Sequence, residues 1–121
     1  MARTYRGTPQ RTKRGGYVVE VVEEDGRRRP LPPRTDLWNH SPDGFAWGYG
    51  GSGPAQLALA LAADLLGDDE RAVRLHQAFK WEVVAKWPSD LEWEVAEDRL
   101  REWLLEAEQV SETDRPPRST L

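Results

Sequence analysis

The side chains that could carry out nucleophilic catalysis gather in one short stretch, residues 39–43. This stretch contains His40, Ser41 and Asp43, which are a base, a hydroxyl and a carboxylate. A catalytic triad needs such groups to converge from separate elements, so that the acid orients the base toward the nucleophile. Neighbouring residues of one loop seldom reach that geometry, and Ser-Pro and Asp-Gly are turn signals. We interpret Ser41 and Asp43 as turn residues and His40 as a local hydrogen-bonding group, and we predict a protein that is not an enzyme.

Metal binding is the second chemistry that these residue types could support. The chain has two histidines, His40 and His76, and no cysteine, which leaves out disulfides and zinc–thiolate sites. No H-x-x-x-H spacing or carboxylate pair accompanies the histidines. His76 is expected at the rim of a helix, beside Leu75 and Phe79. We therefore predict no metal site and no cofactor.

Anion binding is the third chemistry, and its candidate is the glycine-rich elbow, residues 48–54. A turn of this kind leaves backbone N–H groups uncovered at the positive end of the next helix. Gly48, Gly50 and Gly53 formally match G-x-G-x-x-G, but the second parallel strand of a dinucleotide fold is not predicted downstream. No Lys-Ser or Lys-Thr closes a phosphate loop. Two readings stay open, an anion site at the free amides and the Ser52 hydroxyl, or a turn used only for close packing.

A nucleotide at the elbow would need a flat surface for its base and cations for its phosphate. Trp47 and Tyr49 could stack on the base, unless both are core aromatics. Residues 27–29 and Arg34 could supply the cations. The candidate ligand-binding residues are Trp47, Tyr49, Gly50, Gly51, Ser52, Gly53, Gln56 and Arg28.

The strands that must position these groups are read from alternation and β-branched content. Residues 17–23 form the clearest strand, with a turn at 24–26 and a partner strand over 27–31. Residues 4–6 and 91–95 predict short strands, and residues 7–16 predict a loop. Phe45, Trp47 and Tyr49 alternate with small residues, which predicts a further strand with one aromatic face.

The helices follow from capping signals and apolar spacing. Pro54 suits the first position of a central apolar helix that ends at Gly67, and Gln56 is expected to cap back to its start. Asp68 or the next residue caps a second helix that ends near residues 87–88. A third, amphipathic helix includes residues 100–107. The fold class is α+β, a small antiparallel sheet packed against two or three helices.

The predicted organisation has three parts, a basic N-terminal arm with a short strand (1–16), a single α+β domain (17–108) and a disordered tail (109–121). Residues 1–34 carry nine Lys/Arg and four Asp/Glu, a balance of +5, and the remainder carries −9. The basic part could contact nucleic acid or an acidic protein, or pair with the domain's own acids. Nucleic acid is disfavoured as a partner, because no nucleic-acid recognition signature accompanies the basic part.

The chain is expected to be cytoplasmic with no membrane contact. Its first residues lack the apolar region of a signal peptide, and its longest apolar run, residues 55–63, would span only about half a bilayer. Six tryptophans are more than a small core easily hides. Trp87 and Trp103 are candidate partner-binding residues, for a host protein or a second copy of the chain, unless they cover the rim of the core.

Through the segment NHSPDGFAWGYGGSGPAQLALA, residues 39–60, the chain resembles an uncharacterised family of small proteins from bacteria, archaea and their phages and plasmids. The resemblance extends less specifically over residues 4–85. No activity or catalytic residue carries over from it. The resemblance implies a setting of mobile elements and their hosts, in which small acidic proteins often inhibit an enzyme or sequester a signal.

Two functions follow as expectations. The first is a non-enzymatic binding protein, of phage or mobile-element origin, that holds a small anionic ligand such as a nucleotide at the elbow. The second is an inhibitor or adaptor that targets a host enzyme of defence or transcription through exposed tryptophans and charged surfaces.

Overall fold

The computed structural model describes residues 3–113, and side chains up to residue 109. Its four strands are β1 (Thr4–Arg11), β2 (Tyr17–Val22), β3 (Arg28–Pro30) and β4 (Trp93–Ala96). Its α-helices are α1 (Ser52–Leu66), α2 (Asp69–Glu82) and α3 (Glu97–Thr113), with a 3-10 turn at Val84–Lys86 after α2. The predicted α+β class is confirmed.

All neighbouring strands of the sheet are antiparallel, in the order β3-β2-β1-β4. Tyr5 of β1 lies opposite Val21 of β2 and Val95 of β4. Tyr5 and Val21 point to the buried face and are fully covered. The short strand predicted at residues 4–6 is confirmed, but the loop predicted over 7–16 is wrong at residues 7–11. Pairing with β2, at Thr8 and Arg11, extends β1 beyond its contact with β4, through a segment whose own sequence has little strand preference.

The core is centred on α1, which is buried along nearly its whole length. Leu57, Leu59 and Leu61 have no exposed surface although they point in different directions around the helix, because the helix is covered on several sides. Gly67 ends α1 in the left-handed conformation, with φ 63° and an N–H bond to the Ala63 carbonyl. These features confirm the predicted central apolar helix and its glycine cap. The Asp68 cap of α2 is also confirmed.

Residues 45–49 do not form the predicted aromatic strand. Phe45 makes a single bridge with Tyr17, and the chain then turns at Gly48, which has φ +88°. The Gly48 N–H bonds to the Val84 carbonyl, 3.1 Å away, so this segment is fixed by the 3-10 turn that follows α2 instead of by the sheet. As a result, the aromatic side chains of this segment do not share one face. Trp47 is buried and Tyr49 is half exposed.

The third helix extends further than its sequence pattern indicated. α3 runs to Thr113, so it includes residues 109–113 of the predicted tail. The rest of that predicted tail, residues 114–121, lies outside the described residues. No helix within residues 3–113 has the length and apolar character needed to span a membrane.

Candidate functional site

The start of α1 at the elbow reaches solvent at Ser52, while Gly53 and Pro54 are buried, and it carries no compensating charge. Gly51 is the N-cap residue, and no side chain accepts a bond from the first amides. The first turn contains no acidic residue. Ser52 is exposed at this end of the helix. No carboxylate in the first turn of α1 therefore offsets the positive end of the helix dipole.

Two arginines, Arg11 at the end of β1 and Arg14 in the turn that follows, line the same concavity as this helix start. The concavity measures about 310 Å³ and is bounded by Arg11, Arg14, Asp43, Tyr49 and Ser52, among others. Arg11 donates to the Gly15 carbonyl at 2.6 Å and lies 4.8 Å from the Tyr17 ring centre. Within residues 3–113, Arg14 forms no ion pair and is exposed. The concavity thus combines two cations and a helix N-terminus with one carboxylate.

The predicted cation Arg28 lies elsewhere. It is on β3, 3.9 Å from Glu20, and borders a different concavity together with Arg3, Glu23 and Glu97. The neighbouring Arg29 is ion-paired with Glu23 and Asp64. Arg34 pairs with Asp36 and Asp69. These arginines therefore form ion pairs with acidic residues of the same domain. This is one of the alternatives predicted for the basic part.

Of the two predicted stacking aromatics, only Tyr49 is accessible. Trp47 is 1% exposed, and its indole N–H donates to the Leu91 carbonyl at 3.1 Å. Its ring is part of the core and offers no face to a ligand, so the assignment of Trp47 as a stacking surface does not fit the structure. Tyr49 is 52% exposed, and its ring lies beside Gly51, where a Cβ would overlap it.

The glycines of the elbow are needed for close packing. A Cβ on Gly50 would overlap the Trp81 ring, and one on Gly53 would lie 2.7 Å from the Ala46 Cβ. At Gly48, a Cβ would come within 2.8 Å of the Ser89 backbone, at a φ that L side chains rarely adopt. Packing therefore accounts for the formal G-x-G-x-x-G spacing, and any anion-binding role rests on the amides at the start of α1.

Gln56 acts as a structural anchor instead of a ligand-binding or capping residue. It is fully buried in α1. Its Oε1 accepts from the N–H groups of His40 (2.8 Å) and Ser41 (3.0 Å). Its Nε2 donates to the carbonyls of Pro33 (2.6 Å) and Trp38 (3.1 Å). The amide is satisfied by four bonds, which attach residues 33–41 to the core helix.

The two histidines form a direct pair that sequence reasoning missed. The Nε2 atoms of His40 and His76 are 2.8 Å apart, and His76 Nδ1 lies 2.6 Å from the Val73 carbonyl. The carbonyl requires a proton on His76 Nδ1, so His40 donates from Nε2 to His76 Nε2. Burial lowers the pKa of both rings, and Trp38 stacks on His40 with a centroid distance of 4.8 Å.

The predicted rim position of His76 is wrong, because the ring has no exposed surface beneath residues 38–40. Within residues 3–113, no three His, Cys, Asp or Glu side chains are placed to hold one metal ion. The pair is accordingly a hydrogen-bonded element that joins the motif loop to α2. A polar residue on an apolar helix face was the one available signal for it.

Trp87 and Trp103 lie on one groove, although they come from different elements. The groove measures about 420 Å³ and is bounded by both tryptophans together with Val83, Lys86 and Glu106. Both side chains are partly buried and pack against the core. The groove therefore offers apolar surface with a charged border.

Comparison with known proteins places the chain in a family but gives no assigned activity. No curated protein and no solved structure matches it. Residues 5–106 match one protein family, a range that includes the described sheet except its first residue, Thr4, and most of α3. This match covers the motif segment, the end of β1 with Arg11 and the following turn with Arg14. The chain therefore belongs to the family of unknown function DUF6166.

Proposed function

We propose that this protein is a non-enzymatic binding protein that holds a small anionic ligand, such as a nucleotide, at the elbow. One observation carries the proposal, the convergence of Arg11 and Arg14 on the uncapped start of α1. Arginine forms charge-assisted hydrogen bonds with phosphate, and helix amides bind the same group without further charge. Tyr49, exposed at the border, supplies a flat face.

Arg14 is the cation on which affinity depends most. Arg11 already donates to the Gly15 carbonyl, whereas Arg14 has no ion pair among the described residues. Asp43 borders the same concavity and opposes an anion there. The proposal therefore requires the two guanidinium groups and the helix end to outweigh one carboxylate.

Ser52→Asp separates ligand binding from stability. A carboxylate in the first turn of α1 should stabilise the helix by about 0.3–1 kcal/mol, because it complements the helix dipole. The same carboxylate should repel an anion and weaken binding by about tenfold or more. Ser52→Asn is the neutral control. Calorimetry with inorganic phosphate and a panel of linear and cyclic nucleotides reports affinity, and thermal melting reports stability.

Arg14→Gln should weaken binding in the same titrations, and Arg28→Gln should leave it unchanged, because Arg28 lies at another concavity. Equal effects of these two variants would contradict a localised site. No binding and no melting shift with phosphate or any nucleotide of the panel would exclude the proposal.

The mobile-element setting gives this binding a purpose. A protein that binds a nucleotide tightly and does not convert it lowers the free concentration of that signal. Such a role fits a phage or plasmid protein acting against a host response. Loss of binding in Arg14→Gln should then abolish protection of the phage in an infection assay, at unchanged protein level.

A second candidate function is an inhibitor or adaptor that binds a host enzyme, favoured by the groove that joins Trp87 and Trp103. Tryptophan is enriched at interface hot spots. Trp87→Ala with Trp103→Ala should abolish capture of a purified host target. Trp81→Ala is the matched control, since Trp81 is 56% exposed but packs beside Gly50. Capture that survives the double variant would refute this role.

A further inference from the structure

An apolar cleft of about 350 Å³ adjoins the elbow concavity. Its walls come from β2, residues 30–35 and residues 41–45. We propose that it receives the aromatic part of the ligand whose anionic group binds at the elbow. The ligand class is a compound that joins one aromatic ring system to a phosphate, as in a nucleoside monophosphate. This inference rests on the proposed function.

The walls of the cleft are apolar and its border is cationic. Val19, Leu31 and Phe45 are almost fully buried and form part of its lining. Lys13 and Arg14 stand at the border, exposed, and neither forms an ion pair among the described residues. Apolar walls with a few polar groups are typical of small-molecule sites. Asp43 also lines the cleft, but the two cations outweigh this one carboxylate, so the net charge favours an anion over a neutral or cationic compound.

The cleft is held open by bonds between its two sides. The N–H groups of Gly16 and Tyr17 bond to the carbonyls of Asp43 and Phe45, each at 2.9 Å. Leu31 donates to the Val19 carbonyl at 3.0 Å. Gln56, through its bond to the Ser41 N–H, fixes the far wall. A preformed cleft avoids the entropic loss of ordering loops when a ligand binds.

The cleft and the elbow concavity share Arg14 and residues 41 and 43–45 of their linings. A ligand whose phosphate contacts Arg14 therefore has its next group at the cleft. The volume is at the low end of the range of about 300–1,000 Å³ for ligand sites. A cleft of this size admits one nucleobase, so a second nucleotide would have to remain outside.

Three basic residues, at the end of β1 and in the turn that follows, allow the two halves of the site to be tested separately. Lys13 borders only the cleft, Arg11 borders only the elbow concavity, and Arg14 borders both. Arg28 borders neither and is the matched control. Thr35 lies at the exposed rim of the cleft. The substitution Thr35→Trp should therefore fill the cleft without changing the core.

Calorimetry with inorganic phosphate, adenosine and the four ribonucleoside monophosphates, on the full chain, tests the proposal. At least one monophosphate should bind about tenfold or more tightly than phosphate, a difference of about 1.4 kcal/mol. Thr35→Trp and Lys13→Gln should reduce that advantage and leave phosphate affinity unchanged, whereas Arg11→Gln should weaken both. Methyl NMR signals of Val19 and Leu31 should shift with the monophosphate and not with phosphate, which keeps the test decisive if Thr35→Trp does not fold.

The outcomes distinguish the two proposals. Phosphate binding that depends on Arg11, with no monophosphate tighter than phosphate, overturns the cleft assignment and leaves the elbow site intact. Binding of adenosine and the monophosphates with equal affinity, unaffected by Arg11→Gln, overturns the elbow site and with it the phosphate-bearing ligand class proposed for the cleft. No binding of any probe overturns both.

Discussion

Replacing Gln56 by methionine is expected to destabilise this fold more than any surface change. Methionine has a similar length but can make none of the four hydrogen bonds of the buried amide. Each such bond contributes about 0.5–1.5 kcal/mol, so the four together contribute about 2–6 kcal/mol. A domain of this kind has a total stability of about 5–15 kcal/mol, so the loss is a large fraction of it.

The measurement is urea unfolding followed by tryptophan fluorescence, with the free energy taken from the linear extrapolation. Gln77→Met is the matched control, because Gln77 is exposed on α2 and should change the free energy of unfolding by less than about 0.5 kcal/mol. A loss below about 1 kcal/mol for Gln56→Met would refute the reasoning, because the four bonds would then have been replaced by water or by rearrangement of residues 33–41.

Gln56→Glu adds a test with a defined sign. The introduced carboxyl keeps an acceptor for the N–H groups of His40 and Ser41, but places its second oxygen against the Pro33 and Trp38 carbonyls. Burial and these carbonyls raise its pKa in the folded state, because both disfavour the charged form. This variant should therefore become more stable as the pH falls through the raised pKa, while Gln56→Met should show no such gain.

Three further predictions concern other parts of the fold. Burial lowers the pKa of His76 and of its histidine partner, so the unfolded chain binds more protons below pH 6.5 and stability should fall from pH 7 to pH 5. His76→Gln should flatten that slope in urea titrations at the two pH values. The Arg3 hydrogen bond lowers the pKa of Glu97 to about 2, so Glu97 contributes stability above its usual pKa that is lost as the pH falls toward 2. Glu97→Gln should remove about 1–3 kcal/mol at pH 7, and a pH-independent loss would contradict this assignment. Gly48→Ala should lower the melting temperature more than Gly26→Ala, because both have φ near 90° but only the first Cβ meets other atoms.

The elements governed by local signals could be predicted from the sequence. Asp68 and Gly67 mark helix ends by bonds to residues three or four positions away. A local pattern was misleading at residues 45–49, where the alternation of aromatic and small residues is typical of a strand. There the chain is fixed by Val84 and by the positive φ of Gly48, and neither is visible in the spacing.

The candidate site was predicted only in part, because its side chains meet across long separations. The elbow and its open helix start follow from the glycines and Pro54. Arg14 reaches it through the β1–β2 turn, and the choice of Arg28 failed because nothing in the sequence fixes where β3 lies relative to α1. Gln56 and His76 have partners 15 to 36 residues away, so only their unusual place on apolar faces could have marked them.

The position of β1 determines when this domain can be completed during synthesis. β1 pairs on one side with β2, which follows it closely, and on the other with β4 at residues 93–96. Until residue 96 has left the ribosome, one side of β1 has unpaired N–H and C=O groups that can recruit strands from other nascent chains. A product truncated before residue 93 would keep that edge permanently. Aggregation of such fragments, under conditions where the full chain remains dispersed, is the expected behaviour.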